Sequence, residues 1–403
     1  MKNLFALALA LFLVTFKLSA NTDSLRIALF YTQPLSSVAL VPDGNYHLML
    51  DSSVSQPVEP GEMLFFSIAD GKVRVRTASN HIGSFNSVVL YSNNAIGAFK
   101  VMPTVPKLAA RWYDDNAIFS CVNGKLLVVN QVEVEKYIAG VVEAEAGNSA
   151  KPEFYKAQVL LARTYALGHT EKHAAEGFNL CDDVHCQAFK GRSTRNPEIF
   201  KAAVATHRLV VADTTGKLIV AAFHSSCGGE TANSEQVWPK AKYYLVTVTD
   251  PYCVGKRNST WEKRFTTKDF IGYLSSKGFS SSSLTSEKLP YSQISRSTSY
   301  KIGRDSLAFS RMRNDLGLRS AFFTISSADG QVVIQGKGYG HGVGLCQIGA
   351  MEMAIRGMDY TAIINFYFKG VKIIPIEEVT NFFPDAKDVD VPVGEPVVVD
   401  TLQ

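Results

Sequence analysis

The stretch that most constrains this chain is Val132–Leu167, VEVEKYIAGVVEAEAGNSAKPEFYKAQVLLARTYAL, whose apolar spacing admits two helices and one break. Tyr137, Val141 and Val142 recur at helical spacing in a helix beginning near Glu135. Gly147-Asn148-Ser149 interrupts it, and Pro152 suits the first turn of the next helix, where its missing N–H costs nothing. That second helix carries Phe154, Ala157, Leu161 and Tyr165 on one stripe. Lys156 and Arg163, seven residues apart, fall on another.

The break is where chemistry could sit. Glu145 precedes Gly147 by two residues, amid Val141, Val142, Ala144 and Ala146. Partial desolvation would raise its carboxyl pKa toward the range of a general acid, and a nearby Lys156 or Arg163 would pull it back down. The plain alternative is that Glu143 and Glu145 are solvated helix acids with lysine partners, as most helical glutamates are. Residue chemistry alone leaves both readings open.

The whole chain sets the frame. Its 403 residues can hold two domains or one with appendages, and 46% hydrophobic against 19% charged residues can bury a real core. A formal net charge of +4, with no basic run, gives no argument for nucleic acid. Lys2, the apolar run Leu4–Phe16 and the small residue Ala20 read as a secretory signal peptide over residues 1–20. The alternative is an uncleaved anchor, the single membrane attachment considered. The rest of the chain is expected to be exported, in the periplasm or on the wall side of the cytoplasmic membrane. Six cysteines beyond that segment permit disulfides without making a disulfide scaffold.

Residues 21–106 alternate in short runs parted by PDGN, EPGE, ADGK and SNN turns, which predicts a small β-rich N-terminal domain. PTVP at Pro103–Pro106 reads as a joint. A second domain is expected over 107–375, opening with the strands AIFSCV and LLVVN. Arg264–Leu289 reads as a surface excursion, an amphipathic helix begun near Thr267 followed by a Ser-rich loop. Residues 376–403 form an acidic, Pro-containing tail. The fold class is α+β, with mixed strands and helices around a grooved site.

Past the second helix, His173, Cys181, His185 and Cys186 bring sulfur and imidazole into one loop, the donor types tetrahedral zinc takes. The spacing is not that of a standard zinc knuckle. A Cys181–Cys186 disulfide and two free thiols fit it too. A zinc held by all four residues would be structural, with no position left for water. Cys227 and Cys253 are candidates for a further disulfide. His224, three residues from Cys227 along a strand, points to the opposite face, which argues against a Cys–His nucleophile. Near the end, Gly338, Gly340, Gly342 and Gly344 alternate with Tyr339, His341 and Val343. In an extended chain that leaves one face bare, where another backbone or a sugar strand could approach. Two capped helices follow, one stopping at Gly357 and one starting after Asp359.

These motifs together resemble the SpoIID/LytB family. VNQVEVEKYIAGVVEAEA and KAQVLLARTYA are similar to its core signature, with Ala146 where Met is usual. QAFKG at Gln187–Gly191 resembles its Q-x-Y-x-G, and GYGHGVGLCQIGA its C-terminal signature, with Cys346 for Ser and Ile348 for Tyr. The resemblance spans about Arg111 to Ile374. It implies a lytic transglycosylase acting on peptidoglycan glycan strands, particularly those stripped of stem peptides, with Glu145 as acid and base. It also implies Lys156, Arg163, Gln187, Tyr339, His341 and Gln347 as strand-binding residues. For the loop cysteines and histidines it favours zinc, which some relatives hold with two Cys and two His. The family includes enhancers of wall amidases, so a non-catalytic protein with an amidase partner is the second reading. No H-E-x-x-H pattern supports an amidase proper.

Overall fold

The computed structural model describes residues 23–92 and 97–380. The expected signal segment and residues 381–403 of the expected tail lie outside the described residues, whereas Ile376, placed in that tail, is buried in the core. Two antiparallel-rich sheets and seven α-helices make up most of it, an α+β fold. One sheet runs in the order Leu180–Cys181, Ser24–Ala28, Lys125–Glu133, Asn116–Val122, Ser87–Ser92, Tyr46–Leu50, Val54–Val58. The other runs Arg111–Asp114, Ala98–Val105, Ser37–Asp43, Leu64–Ala69, Lys72–Arg76, His81–Phe85. Alternating apolar residues of the two sheets face each other, and the Phe66 and Phe119 rings stack across the interface at 3.8 Å.

The expected division at residue 107 is not a boundary in the fold. Arg111–Asp114 pairs with Ala98–Val105, and Asn116–Val122 pairs with Ser87–Ser92, so the later strands complete the earlier sheets. One hydrophobic core runs from Leu25 to Ile376 through both. PTVP is no linker either, because Ala98–Val105 is a strand through most of it.

The helices are α1 (Val134–Ala146), α2 (Pro152–Gly168), α3 (Pro197–Ala205), α4 (Thr267–Ser276), α5 (Phe309–Leu316), α6 (Gln347–Ile355) and α7 (Tyr360–Tyr367). Strand Lys125–Glu133 runs straight into α1, whose first turn is capped by the Glu133 side chain accepting from Lys136 N at 3.1 Å. Gly147, at φ +75°, stops it. Pro152 opens α2 as its first residue. The break between them is therefore where the sequence puts it. Nearly every residue of both helices is buried, so they form the centre of the molecule rather than a surface layer.

The excursion after Arg264 is more than a solvated loop. Phe270, Leu274, Leu289, Tyr300, Phe309, Met312, Phe323 and Ile334 close a second, separate core. Helix α4, helix α5 and the sheet of Thr260–Thr266, Gln331–Lys337 and Phe323–Ala328 surround it. The apolar residues sat too far apart in the chain for the Ser-rich run between them to look like anything but surface.

Candidate active site

Glu145 lies in the last turn of α1, at the negative end of the helix dipole, and is only 2% exposed. Its Oε1 accepts from Ala188 N at 2.8 Å, while the buried Oε2 has no hydrogen-bond partner. Burial pushes its carboxyl up to about 7, partly offset by the Ala188 N–H and the positive charge of Lys190. Glu143, two residues earlier, goes the other way. It accepts from Ser193 Oγ, Arg195 N and Arg195 Nε at 3.0, 2.8 and 3.1 Å, and these donors hold it below the ordinary range against its own burial. One helix end thus carries a proton-holding acid and a fixed anion. Of the two starting readings, the desolvated one describes Glu145, and Glu143 is an ion-paired structural acid.

Two chain segments touch Glu145, one at its side chain and one at its main chain. Ala188 belongs to the QAFKG segment. Gln347 opens α6 just after the glycine-rich stretch, and its Nε2 donates to the Glu145 carbonyl at 3.3 Å. The side chain is thus buried beside Ala188, and its main chain is held by Gln347. Two large cavities of the described surface, about 510 and 730 Å³, lie elsewhere and do not include Glu145.

The remaining predicted strand-binding residues divide. Arg163 is wholly buried and forked onto Glu135, with further donation to the Ala203 and Leu209 carbonyls at 3.0 Å each. Those contacts consume the guanidinium, so it is a structural ion pair and not a glycan contact. Lys156 bonds Glu153 at 2.6 Å and lies over the Tyr360 ring, and the cation that acts on Glu145 is Lys190 instead. Gln187 is spent internally: Tyr137 Oη donates to its Oε1 and its Nε2 donates to the Ala162 carbonyl, both at 3.3 Å. Tyr339 remains part-exposed, with the Arg319 guanidinium over its ring. His341 is buried beside Trp238, ring centroids 5.5 Å apart. Gln347 reaches Glu145 itself.

The glycine alternation is not an extended strand. All four glycines take positive φ, from +72° to +108°. A Cβ on Gly338 would meet the Ser226 carbonyl at 2.4 Å, and one on Gly344 the Ala222 carbonyl at 2.2 Å. At Gly338 and Gly344 the space is occupied by the protein's own backbone, residues 222–228, and at Gly342 by the Arg296 side chain. Close approach was the right inference, and a neighbouring chain segment is what approaches.

The loop ligands converge. Donor atoms of His173, Cys181, His185 and Cys186 all lie within 4.8 Å of one another. Cys186 Sγ stands 3.4 Å from His173 Nε2 and 3.8 Å from His185 Nδ1, and Cys181 Sγ 3.7 Å from His185 Nδ1. Tetrahedral zinc bonded to sulfur and nitrogen sets such edges at roughly 3.6 Å. His173 Nδ1 faces Glu176 Oε1 at 2.5 Å, which aims Nε2 at the cluster as metal-bound histidines require. Cys181 and Cys186 are not bonded to each other. The set fits a closed four-ligand zinc. The first strand anchors it: Ala28 pairs with Cys181, and Asp182 accepts from Phe30 N at 2.7 Å and Arg111 Nη1 at 2.9 Å.

Sequence reasoning missed the Ala188 N–H and the role of Lys190. A backbone donor leaves no trace in residue type, and the charge of Lys190 gains meaning only once its segment packs beside Glu145.

Comparison with known proteins places this arrangement. The profile of the stage II sporulation protein family, SpoIID, matches residues 122–220, which hold both central helices and the loop ligands. An uncharacterized protein of Brachyspira hyodysenteriae is 32% identical over 279 residues, covering 68% of this chain and 75% of that protein. Stage II sporulation protein D of Bacillus amyloliquefaciens is 30% identical over 261 residues, 61% of this chain and 75% of that protein. An amidase enhancer of Bacillus subtilis is 28% identical, over 59% of this chain and 40% of its own length. With the core motifs on α1 and α2 and relatives matched over three-quarters of their length, this chain belongs to the SpoIID family.

Proposed function

We propose that this protein is an exported peptidoglycan lytic transglycosylase that cleaves MurNAc–GlcNAc linkages during wall remodelling, with Glu145 as its single acid and base. SpoIID membership and the likeness to an amidase enhancer support the coarser role in the cell wall. The observation that carries the finer reading is the enclosed carboxyl with its pKa near 7, able to hold a proton at neutral pH and to take one back. A hydrolase would need a second carboxylate to activate water, and Glu143 is engaged by Arg195.

In the reaction, Glu145 Oε2 gives its proton to the glycosidic oxygen as the bond to the MurNAc anomeric carbon breaks. The C6 hydroxyl of the same MurNAc then bonds to that carbon, and its proton returns to the carboxylate. The products are a new GlcNAc hydroxyl and a 1,6-anhydroMurNAc end, with no water consumed. Because Glu145 is buried, strand entry would require its surroundings to shift, and the segment carrying Ala188, which touches its side chain, is the part proposed to move as the covering segment. Gln347, which donates to the Glu145 carbonyl, follows Tyr339 and His341 in the chain and would carry them toward the strand. Zinc on His173, Cys181, His185 and Cys186 would fix the base of the covering segment and take no part in proton transfer.

Purified protein incubated with stem-peptide-free glycan should release anhydromuramoyl products detectable by mass spectrometry. Normal release by Glu145→Gln protein would end the proposal. The enclosure of Glu145 and the amidase-enhancer relative favour one second reading, a non-catalytic activator of a wall amidase. That reading requires the protein alone to release nothing while changing the rate of an added amidase.

A further inference from the structure

A second cluster of soft donors lies away from the loop ligands. Cys227, Asp250, Cys253 and Cys346 come from three separate chain segments, and their donor atoms lie within 4.8 Å of one another. All four residues are 0% exposed. Cys227 sits in the Cys-Gly-Gly turn, Asp250 and Cys253 in DPYC, and Cys346 at the N-cap of α6. Parallel pairing of Phe223–His224 with Leu345–Cys346 draws the first and last segments together.

Cys227 Sγ is 3.1 Å from Cys253 Sγ and 3.2 Å from Asp250 Oδ2. A disulfide would need closure to about 2.05 Å. Tetrahedral zinc would need edges of roughly 3.5 to 3.8 Å, an opening of about half an ångström. The surrounding donors decide between them. Cys346 Sγ accepts from Cys227 N and Gly349 N at 3.2 and 3.4 Å, and Cys253 Sγ accepts from Gly229 N at 3.2 Å. Three backbone N–H groups aimed at two sulfurs suit thiolates, since neutral sulfur is a weak acceptor. A disulfide would also leave Cys346 and Asp250 with no role in the cluster. Asp250 is held as a ligand would be: Oδ2 accepts from Tyr367 Oη at 2.9 Å and Oδ1 from Tyr252 N at 2.9 Å. Arg296, the nearby cation, donates to the Cys227 and Glu230 carbonyls at 2.8 and 2.7 Å, so its hydrogen bonds go to main-chain oxygens and its charge reaches the sulfurs only at longer range. A divalent cation would take up the negative charge that three sulfurs and a carboxylate gather in a dry site, beyond what Arg296 alone balances.

We infer that Cys227, Asp250, Cys253 and Cys346 form a second, closed structural metal site of thiolate-rich character, filled by zinc. Sulfur donors select zinc over magnesium or calcium, and four protein ligands leave no open position. The site cross-links the Cys-Gly-Gly turn, the DPYC segment and the start of α6. Gln347, which bonds Glu145, directly follows one ligand. The inference does not depend on the proposed enzymatic activity.

The test is zinc stoichiometry by elemental mass spectrometry on purified full-length protein. Wild type is expected to hold one more zinc than Cys253→Ser. Equal content in the two overturns the site. Should Cys253→Ser fail to fold, Cys181→Ser protein, which lacks a loop ligand, answers the same question. It is expected to retain one zinc that an organomercurial thiol reagent releases, and retention of none overturns the site. Unreduced peptide mapping gives a third reading: a Cys227–Cys253 linked peptide in native protein excludes the metal, and free thiols after metal removal support it.

Discussion

The two donor clusters teach by contrast. The first is gathered within residues 173–186, includes two histidines and leaves His185 exposed. The second draws on residues 227 to 346, holds no histidine and is sealed. Yet both lead within two residues to a contact on Glu145. Cys186 is followed by Gln187 and then Ala188, whose N–H fixes the Glu145 side chain, while Cys346 is followed by Gln347, which fixes the Glu145 main chain. A local clip and a long-range clip thus brace two walls that touch Glu145, one at its side chain and one at its main chain. Position of the acid is thereby set by two anchors that the acid itself does not touch.

The largest effect should fall on the acid that both walls share. Glu145→Gln is expected to lower strand cleavage by roughly 10²- to 10⁴-fold, the usual worth of a general acid–base group, in a product assay on denuded glycan. An unchanged rate would leave the walls holding nothing catalytic. Next comes a buried polar contact that uses an ion pair in place of donors around a metal. Arg163→Met leaves Glu135 with only the His207 ring as a side-chain partner and should cost about 3 to 5 kcal/mol in denaturant unfolding. A loss below about 1 kcal/mol would show that His207 alone suffices for the Glu135 charge.

Third, the enclosure predicts a pH-dependent stability. The Glu145 carboxyl rises from 4.5 to about 7 on folding. The folded chain therefore keeps a proton that the unfolded chain releases between those values. Stability falls as pH rises through that window and levels off above it, a loss of about 3 kcal/mol. Glu145→Gln should abolish this loss, making the variant more stable than wild type at pH 8 and little different at pH 4. Equal unfolding curves at both pH values would mean the carboxyl is solvated. The smallest effect separates the two walls: Cys181→Ser should reduce cleavage about 10- to 100-fold by loosening Ala188, as lost metal support commonly does. If only Cys346→Ser does so, the local clip is dispensable.

Much of the centre was readable from residue order. The α1–α2 pair and its break followed from 3.6-residue spacing, Gly147 and Pro152, all local signals. The loop ligands stood close enough in the chain to be seen as a set. Arg163 misled because a motif cation looks the same whether it faces a groove or Glu135. The glycine run misled because alternation alone cannot say that φ is positive at every second residue.

The sequence by itself determined the helices, the turn that stops α1, and the residue types able to hold a proton or a soft metal, since these depend on neighbours a few positions away. The tertiary structure decided which glutamate is desolvated. Glu143 and Glu145 share a helix end, but Arg195 reaches only the first and Ala188 closes over the second. It likewise decided that Cys227, Cys253 and Cys346 meet around Asp250, because dielectric and proximity are properties of the packed chain and not of its order.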